Sequence, residues 1–219
     1  LTNIEGYAFY DCTSLASANF NEGLESIGAW TFYNTSSLAQ VNIPGSVSLF
    51  GDYAFYSAGI QNLIVNSGVS GFSLGCFYNN RSLSNIELPD TLEVINNSCF
   101  QYCPSLNTVN IPDSVHTIGT SAFEGVSNIN DSIDIVNFGS GLKIIGNSAF
   151  KYNRSLDSAV LPEGLEQIGS SAFQNCFVLS GTIDIPDSVI SIGTSAYENC
   201  QKISGGKRSF YGLHQPKRY

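Results

Sequence analysis

Chemistry in this chain would have to run through very few side chains. The 219 residues hold two histidines, His116 and His214, so any serine–histidine or cysteine–histidine arrangement must use one of them. His116 lies between Val115 and Ile118, at a position other segments fill with Ser, Glu, Lys or Ile, and reads as an exposed surface histidine. His214 lies in an irregular C-terminal stretch and reads the same way. No phosphate-binding glycine loop or His-Glu-x-x-His stands in the sequence. The expectation is a non-enzyme with no catalytic, cofactor-binding or metal-binding residues.

Six cysteines offer a second route to chemistry. Cys12, Cys103, Cys176 and Cys200 each fall three residues after an aromatic, and Cys76 and Cys99 each fall one before. Both positions are expected to face a core, as small buried thiols. Stacked disulfides, Cys76–Cys99 or Cys176–Cys200, are the alternative. Tetrahedral zinc is not expected, because no Cys-x-x-Cys pair exists. Ten residues before the same aromatics stand Glu22, Asp90, Asp113, Glu163 and Asp187. Stacked, they would form a cation-binding ridge. The favoured reading is solvated turn residues, since Gly45, Ser67 and Ser140 interrupt the row.

These regular offsets come from a repeat. An aromatic follows a small residue at Phe9, Phe32, Phe55, Phe77, Phe100, Phe123, Phe150, Phe173 and Tyr197, in steps of 23, 23, 22, 23, 23, 27, 23 and 24 residues. Other columns keep step. Five residues earlier come Ile4, Ile27, Phe50, Phe72, Ile95, Ile118, Ile145, Ile168 and Ile192; further columns, at eight, twelve and fourteen before, are apolar in every unit that has them. A unit of this length cannot bury its own apolar side chains, but stacked units can, each column becoming a ladder through the core. Leu106–Ile111 alternates and reads as a short strand that Pro112 stops. Val115–Ile118 reads as a second extended stretch, Gly119 as a chain turn, and Ser121-Ala122-Phe123 as a short helical or 3₁₀ turn.

Composition agrees with a packed repeat domain: 42% of residues are hydrophobic and 12% charged. No run of about 18 apolar residues exists to span a membrane. The absence of Met and the opening Leu1-Thr2-Asn3-Ile4 suggest a mature or trimmed fragment. Residues 1–201 hold all 18 acids and four bases, so this body should repel nucleic acid and anionic lipid. Residues 202–219 hold five bases and no acid.

The units resemble the leucine-rich repeat in its BspA-like form, known from bacterial and protist surface proteins. The likeness rests on Ile111-Pro112-Asp113-Ser114-Val115-His116-Thr117-Ile118-Gly119-Thr120-Ser121-Ala122-Phe123, on its near copy Ile185-Pro186-Asp187-Ser188-Val189-Ile190-Ser191-Ile192-Gly193, and on Ser180-Gly181-Thr182-Ile183-Asp184. It implies a repeat solenoid: a right-handed horseshoe with a parallel β-sheet on the concave face and short helical or 3₁₀ turns on the convex face. It also implies secretion or surface display, and adhesion to host or cell-surface proteins. It supplies no catalytic residues. Residues 1–203 form the expected repeat domain of about nine units, the first truncated. Residues 204–219 form a basic tail, in which Phe210, Tyr211 and Leu213 would cap the open end or the segment would fray.

On the alternating strands the residues between core positions point outward. They include Gln40, Asn42, Asn62, Ile64, Asn85, Glu87, Thr108, Asn110, Ile135, Asn137, Ser158 and Val160. This Asn-rich face is the expected ligand-binding surface, with an extracellular protein or glycan as partner and a monomer as the oligomeric state. It lacks a cluster of aromatic residues. Two other readings stay open: a spacer that holds another domain off a surface, and a repeat fragment of a larger enzyme. Sequons at Asn34, Asn80, Asn96, Asn130 and Asn153 are ordinary products of an Asn- and Ser-rich chain.

Overall fold

The computed structural model describes residues 1–127 and 133–204. The expected tail or cap, with His214 and Asn130, lies outside them. The described residues form a parallel β-solenoid of nine stacked coils, numbered here by the core aromatic from Phe9 in coil 1 to Tyr197 in coil 9.

Two parallel strand ladders run along the stack. The strands are β1 (Asn3–Ile4), β2 (Ser26–Ile27), β3 (Gln40–Ile43), β4 (Leu49–Phe50), β5 (Asn62–Val65), β6 (Asn85–Glu87), β7 (Val94–Ile95) and β8 (Thr108–Asn110). They continue as β9 (Thr117–Ile118), β10 (Ile135–Asn137), β11 (Ile144–Ile145), β12 (Gln167–Ile168), β13 (Ser180–Gly181), β14 (Ser191–Ile192) and β15 (Lys202–Ile203). The first ladder joins β3, β5 and β6, and beside them β8 and β10. The second joins β1, β2 and β4, then β7, β9, β11, β12 and β14, so the second extended stretch read at Val115–Ile118 is a strand. Its register sets Ile95 against Ile118, Ile145, Ile168 and Ile192 in turn, the ladder the apolar column demands.

Between the ladders the core aromatics form one stack of nine rings. Neighbouring centroids lie 4.9–5.5 Å apart with planes within 15° of parallel. Seven of these, Phe32 to Phe173, are 2% exposed or less.

The third side of each coil departs from expectation. No helix of either kind forms there among the described residues. In coil 2 the N–H groups of Trp30, Phe32 and Asn34 donate to the carbonyls of Asp52, Ala54 and Tyr56 in the next coil. The N–H groups between them, of Tyr33 and Thr35, close turns onto Trp30 and Phe32. Alternate donors therefore leave the coil, which an α-helix cannot allow. Residues two before the ring, and two after it in every coil but that of Phe123, also take left-handed φ, as at Ser98 (55°) and Tyr102 (62°), which stops a right-handed helix from propagating. This edge is a series of single turns sewn to its neighbours. Gly119 does not use positive φ either. It is glycine because a Cβ there would lie 2.6 Å from the Asn97 backbone nitrogen of the preceding coil.

Two buried asparagines repair the irregular units. In regular coils the leucine six residues past the ring closes a turn, as Leu106 N–H does on the Cys103 carbonyl. The unit at Gly59-Ile60 is one residue short, and the unit before Ile133 is long. The N–H of Ile60 donates to Asn80 Oδ1, and that of Ile133 to Asn153 Oδ1, each at 3.2 Å. Both amides also donate to two ring-residue carbonyls: Asn80 to Phe55 and Phe77, Asn153 to Phe123 and Phe150.

Candidate functional site

The residues with chemical potential are held apart or occupied. His116 is exposed, and its Nδ1 lies 3.1 Å from the Thr117 hydroxyl. All six cysteines are free, so neither stacked disulfide is present. Cys76, Cys99, Cys103 and Cys176 are buried; Cys200 is half-buried. Cys12 is exposed, against expectation, because no described coil stacks on the outer side of coil 1. Burial pushes the Cys76 and Cys99 thiols well above their ordinary range and Cys103 up to about 12, so they are thiols rather than nucleophilic thiolates. A hydrogen bond with Cys176 lowers Cys200. The column three past the ring has a structural role beyond filling space. Cys103, Cys176 and Cys200 donate to the carbonyls of Phe77, Phe150 and Phe173 one coil back, as Asn80 and Asn153 do elsewhere.

The acidic row is taken up by turns. Asp90 accepts the Ser67 hydroxyl at 3.1 Å, and Asp113 accepts both the N–H (2.7 Å) and hydroxyl (3.1 Å) of Ser140. Those donors hold the Asp113 carboxyl below its usual range. Ser67 and Ser140, which break the acidic column, are thus its partners. Among the described residues no group of three His, Cys, Asp or Glu side chains is placed to hold a metal ion. No described helix is long and apolar enough to cross a membrane.

The outward residues of the first ladder do come together. Gln40, Asn62 and Asn85 stand in register, as do Asn42, Ile64 and Glu87. Thr108 pairs with Ile135 and Asn110 with Asn137, and Ser158 bridges to Ile135. All are exposed except the half-buried Asn62. Ile64, Ile135 and Val160 are 37%, 43% and 82% exposed, apolar points in an amide surface. Beyond Val160 the surface opens into a hollow of about 530 Å³, bordered by Glu163, Asp184 and Asp187. Part of the amide row binds itself: Asn137 Nδ2 donates to Asn110 Oδ1 at 2.7 Å.

Sequence reading missed an aromatic surface on the turn edge of coils 1 to 4. Tyr10, Tyr33, Tyr56 and Tyr78 stack in a row there, with centroids 4.5–5.2 Å apart. The signal was present as a tyrosine directly after each of the first four core rings. Two sequons are closed to modification in the folded chain, since Asn80 and Asn153 are 0% and 1% exposed.

The geometry agrees with known proteins. The model of the BspA type leucine rich repeat region matches residues 2–130 and 75–204, in six copies. A leucine rich cell surface protein from Faecalibacterium prausnitzii A2-165 is similar at 26% identity, with a TM-score of 0.60 over 97% of this chain. The chain spans 65% of that protein. The T. pallidum leucine rich repeat protein is similar at 27% identity and a TM-score of 0.67, covering 75% of this chain and 78% of the other. A leucine-rich repeat protein from Bacteroides ovatus shares the fold at 21% identity and a TM-score of 0.51, over 94% of this chain and 76% of its own. No curated protein sequence matches. Stacked coils, repeat columns and family match agree: the chain belongs to the BspA-type leucine-rich repeat family.

Proposed function

We propose that this chain is a non-enzymatic adhesion solenoid, secreted or displayed at a cell surface, that binds an extracellular protein or glycan through the outward face of its first strand ladder. The family is one of protein-interaction scaffolds, and the F. prausnitzii relative is a cell surface protein. The observation that carries the reading is the registered face from Gln40 to Val160, which runs over six successive coils and is half amides. Amides hydrogen-bond protein backbones and sugar hydroxyls alike. In the right-handed, concave form the family implies, this face would line the inner surface of the curve. The test is binding of the chain to immobilised matrix proteins and glycans. The variant Asn85→Ala/Asn110→Ala/Asn137→Ala should lose most of a saturable signal, and undiminished binding by it would overturn the reading.

One observation favours a second reading, a spacer that binds nothing through this face. The Asn137–Asn110 bond shows that the amides satisfy one another along the ladder. Silence across the whole array would support it.

A further inference from the structure

The aromatic row on the turn edge meets Tyr102 of coil 5 edge-on, and its own column holds no ring beyond coil 4. Beside it, two residues before each ring, stand Tyr7, Trp30 and Tyr53, with Trp30 stacked on Tyr53 at 4.7 Å. Contacts of 5.6–6.0 Å within coils 1 to 3 join the two columns into one surface. In coils 5 to 9 the first column is serine throughout and the second is Gln, Glu or Lys. The backbone does not change with it: φ is 56° at Trp30 and 58° at Tyr53, against 55° at Ser98 and Ser121. The fold therefore does not need the rings.

It also bears strain to keep them. Bulky side chains are uncommon at left-handed φ, yet three successive coils place one two residues before the ring; Tyr102 and Tyr152 take the same conformation two after the ring in coils 5 and 7. Gly75 continues the column, and a Cβ on it would lie 2.2 Å from the Tyr53 ring, so the glycine makes room for that ring.

Charge defines what the surface would receive. Residues 1–80 contain five acids and no base. Three of the acids, Glu5, Asp11 and Asp52, are exposed and border the aromatic columns in sequence. The chain's first base, Arg81, lies within electrostatic reach of Tyr56. Tyr and Trp concentrate at the energetic centres of protein interfaces. Guanidinium groups combine aromatic stacking with bidentate pairing to carboxylates.

We propose that the turn edge of coils 1 to 4 is a second docking surface, built for an arginine-rich segment of a partner protein. It is independent of the strand-face reading and can stand or fall without it.

The test measures anisotropy of a labelled peptide of alternating arginine and glycine, added to the full chain at physiological salt. Peptides of lysine–glycine and glutamate–glycine serve as comparators. Two variants give the early coils the residues of the later ones: Tyr7→Ser/Trp30→Ser/Tyr53→Ser, and Tyr10→Gln/Tyr33→Gln/Tyr56→Gln. The later coils fold with these residues, so circular dichroism and melting temperature should show both variants intact. The arginine peptide should bind more tightly than the lysine peptide and not compete with the glutamate one. Each variant should weaken it by about fivefold or more, the loss of a modest interface anchor. Absence of binding by the native chain, or a smaller loss in the variants, would overturn the proposal. A neutral oligosaccharide bound in place of the arginine peptide, and lost in the same variants, would overturn it as well and assign the surface to glycans.

Discussion

The turn edges of coils 1 to 4 and of coils 5 to 9 share one backbone and differ in what they display. Both alternate hydrogen bonds to the next coil with turns inside the coil, and both hold left-handed residues at the same places. Two before and one after the ring, the early coils carry Tyr and Trp, with Gly75 in coil 4, and the later ones Ser and Gln, Glu or Lys. The buried ring, by contrast, is aromatic in all nine coils. A column that never varies is one the stack requires. A column that changes halfway along is free to serve something else. The repeat thus contains its own control, since each coil shows what its neighbours tolerate.

The largest effect should come from breaking the shared column. Phe100 is 1% exposed between Phe77 and Phe123, 5.3 Å from each. Phe100→Ala should cost about 3–5 kcal/mol in urea unfolding. Phe9 is 37% exposed with one stacked core neighbour, so Phe9→Ala should cost only about 1 kcal/mol. Equal costs would mean that the rings do not act as a continuous core.

Next come the repairs. Asn153→Ala strands the Ile133 N–H and the carbonyls of Phe123 and Phe150 in the interior, and should cost about 2–4 kcal/mol. Asn137→Ala, exposed on the strand face, should stay within about 0.5 kcal/mol. Similar values for the two would deny the buried amide its role.

The early and late edges themselves can be exchanged. Trp30→Ser loses ring contacts but relieves a bulky left-handed residue, so stability should move by no more than about 1 kcal/mol. Ser98→Trp places that bulk where Gly75 and Ser121 flank it in the column, and should destabilise more, as thermal melting would show. A steep loss in Trp30→Ser would make the aromatic edge part of the fold and weaken the case for a docking surface.

The smallest effect is electrostatic. Ser140 lowers the Asp113 carboxyl in the folded state. A lowered folded value means the bond stabilises above the ordinary carboxylate range, near pH 4, and that this contribution fades as pH falls through the folded value. The melting-temperature gap between native chain and Asp113→Ala should therefore shrink between about pH 6 and pH 3. A constant gap would mean that the turn does not depend on the charge.

Much of this was legible as sequence. The ring column, the Ile column from Ile4 to Ile192 and the strand at Thr108–Asn110 all follow from apolar residues recurring at fixed offsets. The outward strand residues were placed by the two-residue alternation. Judged by its neighbours in sequence, Ser121-Ala122-Phe123 reads as helical, and the hydrogen bonds that make the edge something else reach across to the next coil. The Ser, Asn and Gly that recur two before and two after the rings were signals of left-handed φ. Asn80 and Asn153 were read as sequons, although each follows an irregular unit in a column otherwise held by small residues.

The sequence by itself determined the period, the core columns and the parallel stacking, because a unit too short to bury its own apolar residues must bury them against its copies. Only the tertiary structure decided where the turn-edge N–H groups donate, which asparagines are sealed inside and which tyrosines touch. Each of those partners lies in another coil, 20 residues or more away along the chain. The physical cause is that hydrogen bonds and ring contacts are fixed by proximity in space, and the stacking of coils, rather than local preference, sets that proximity.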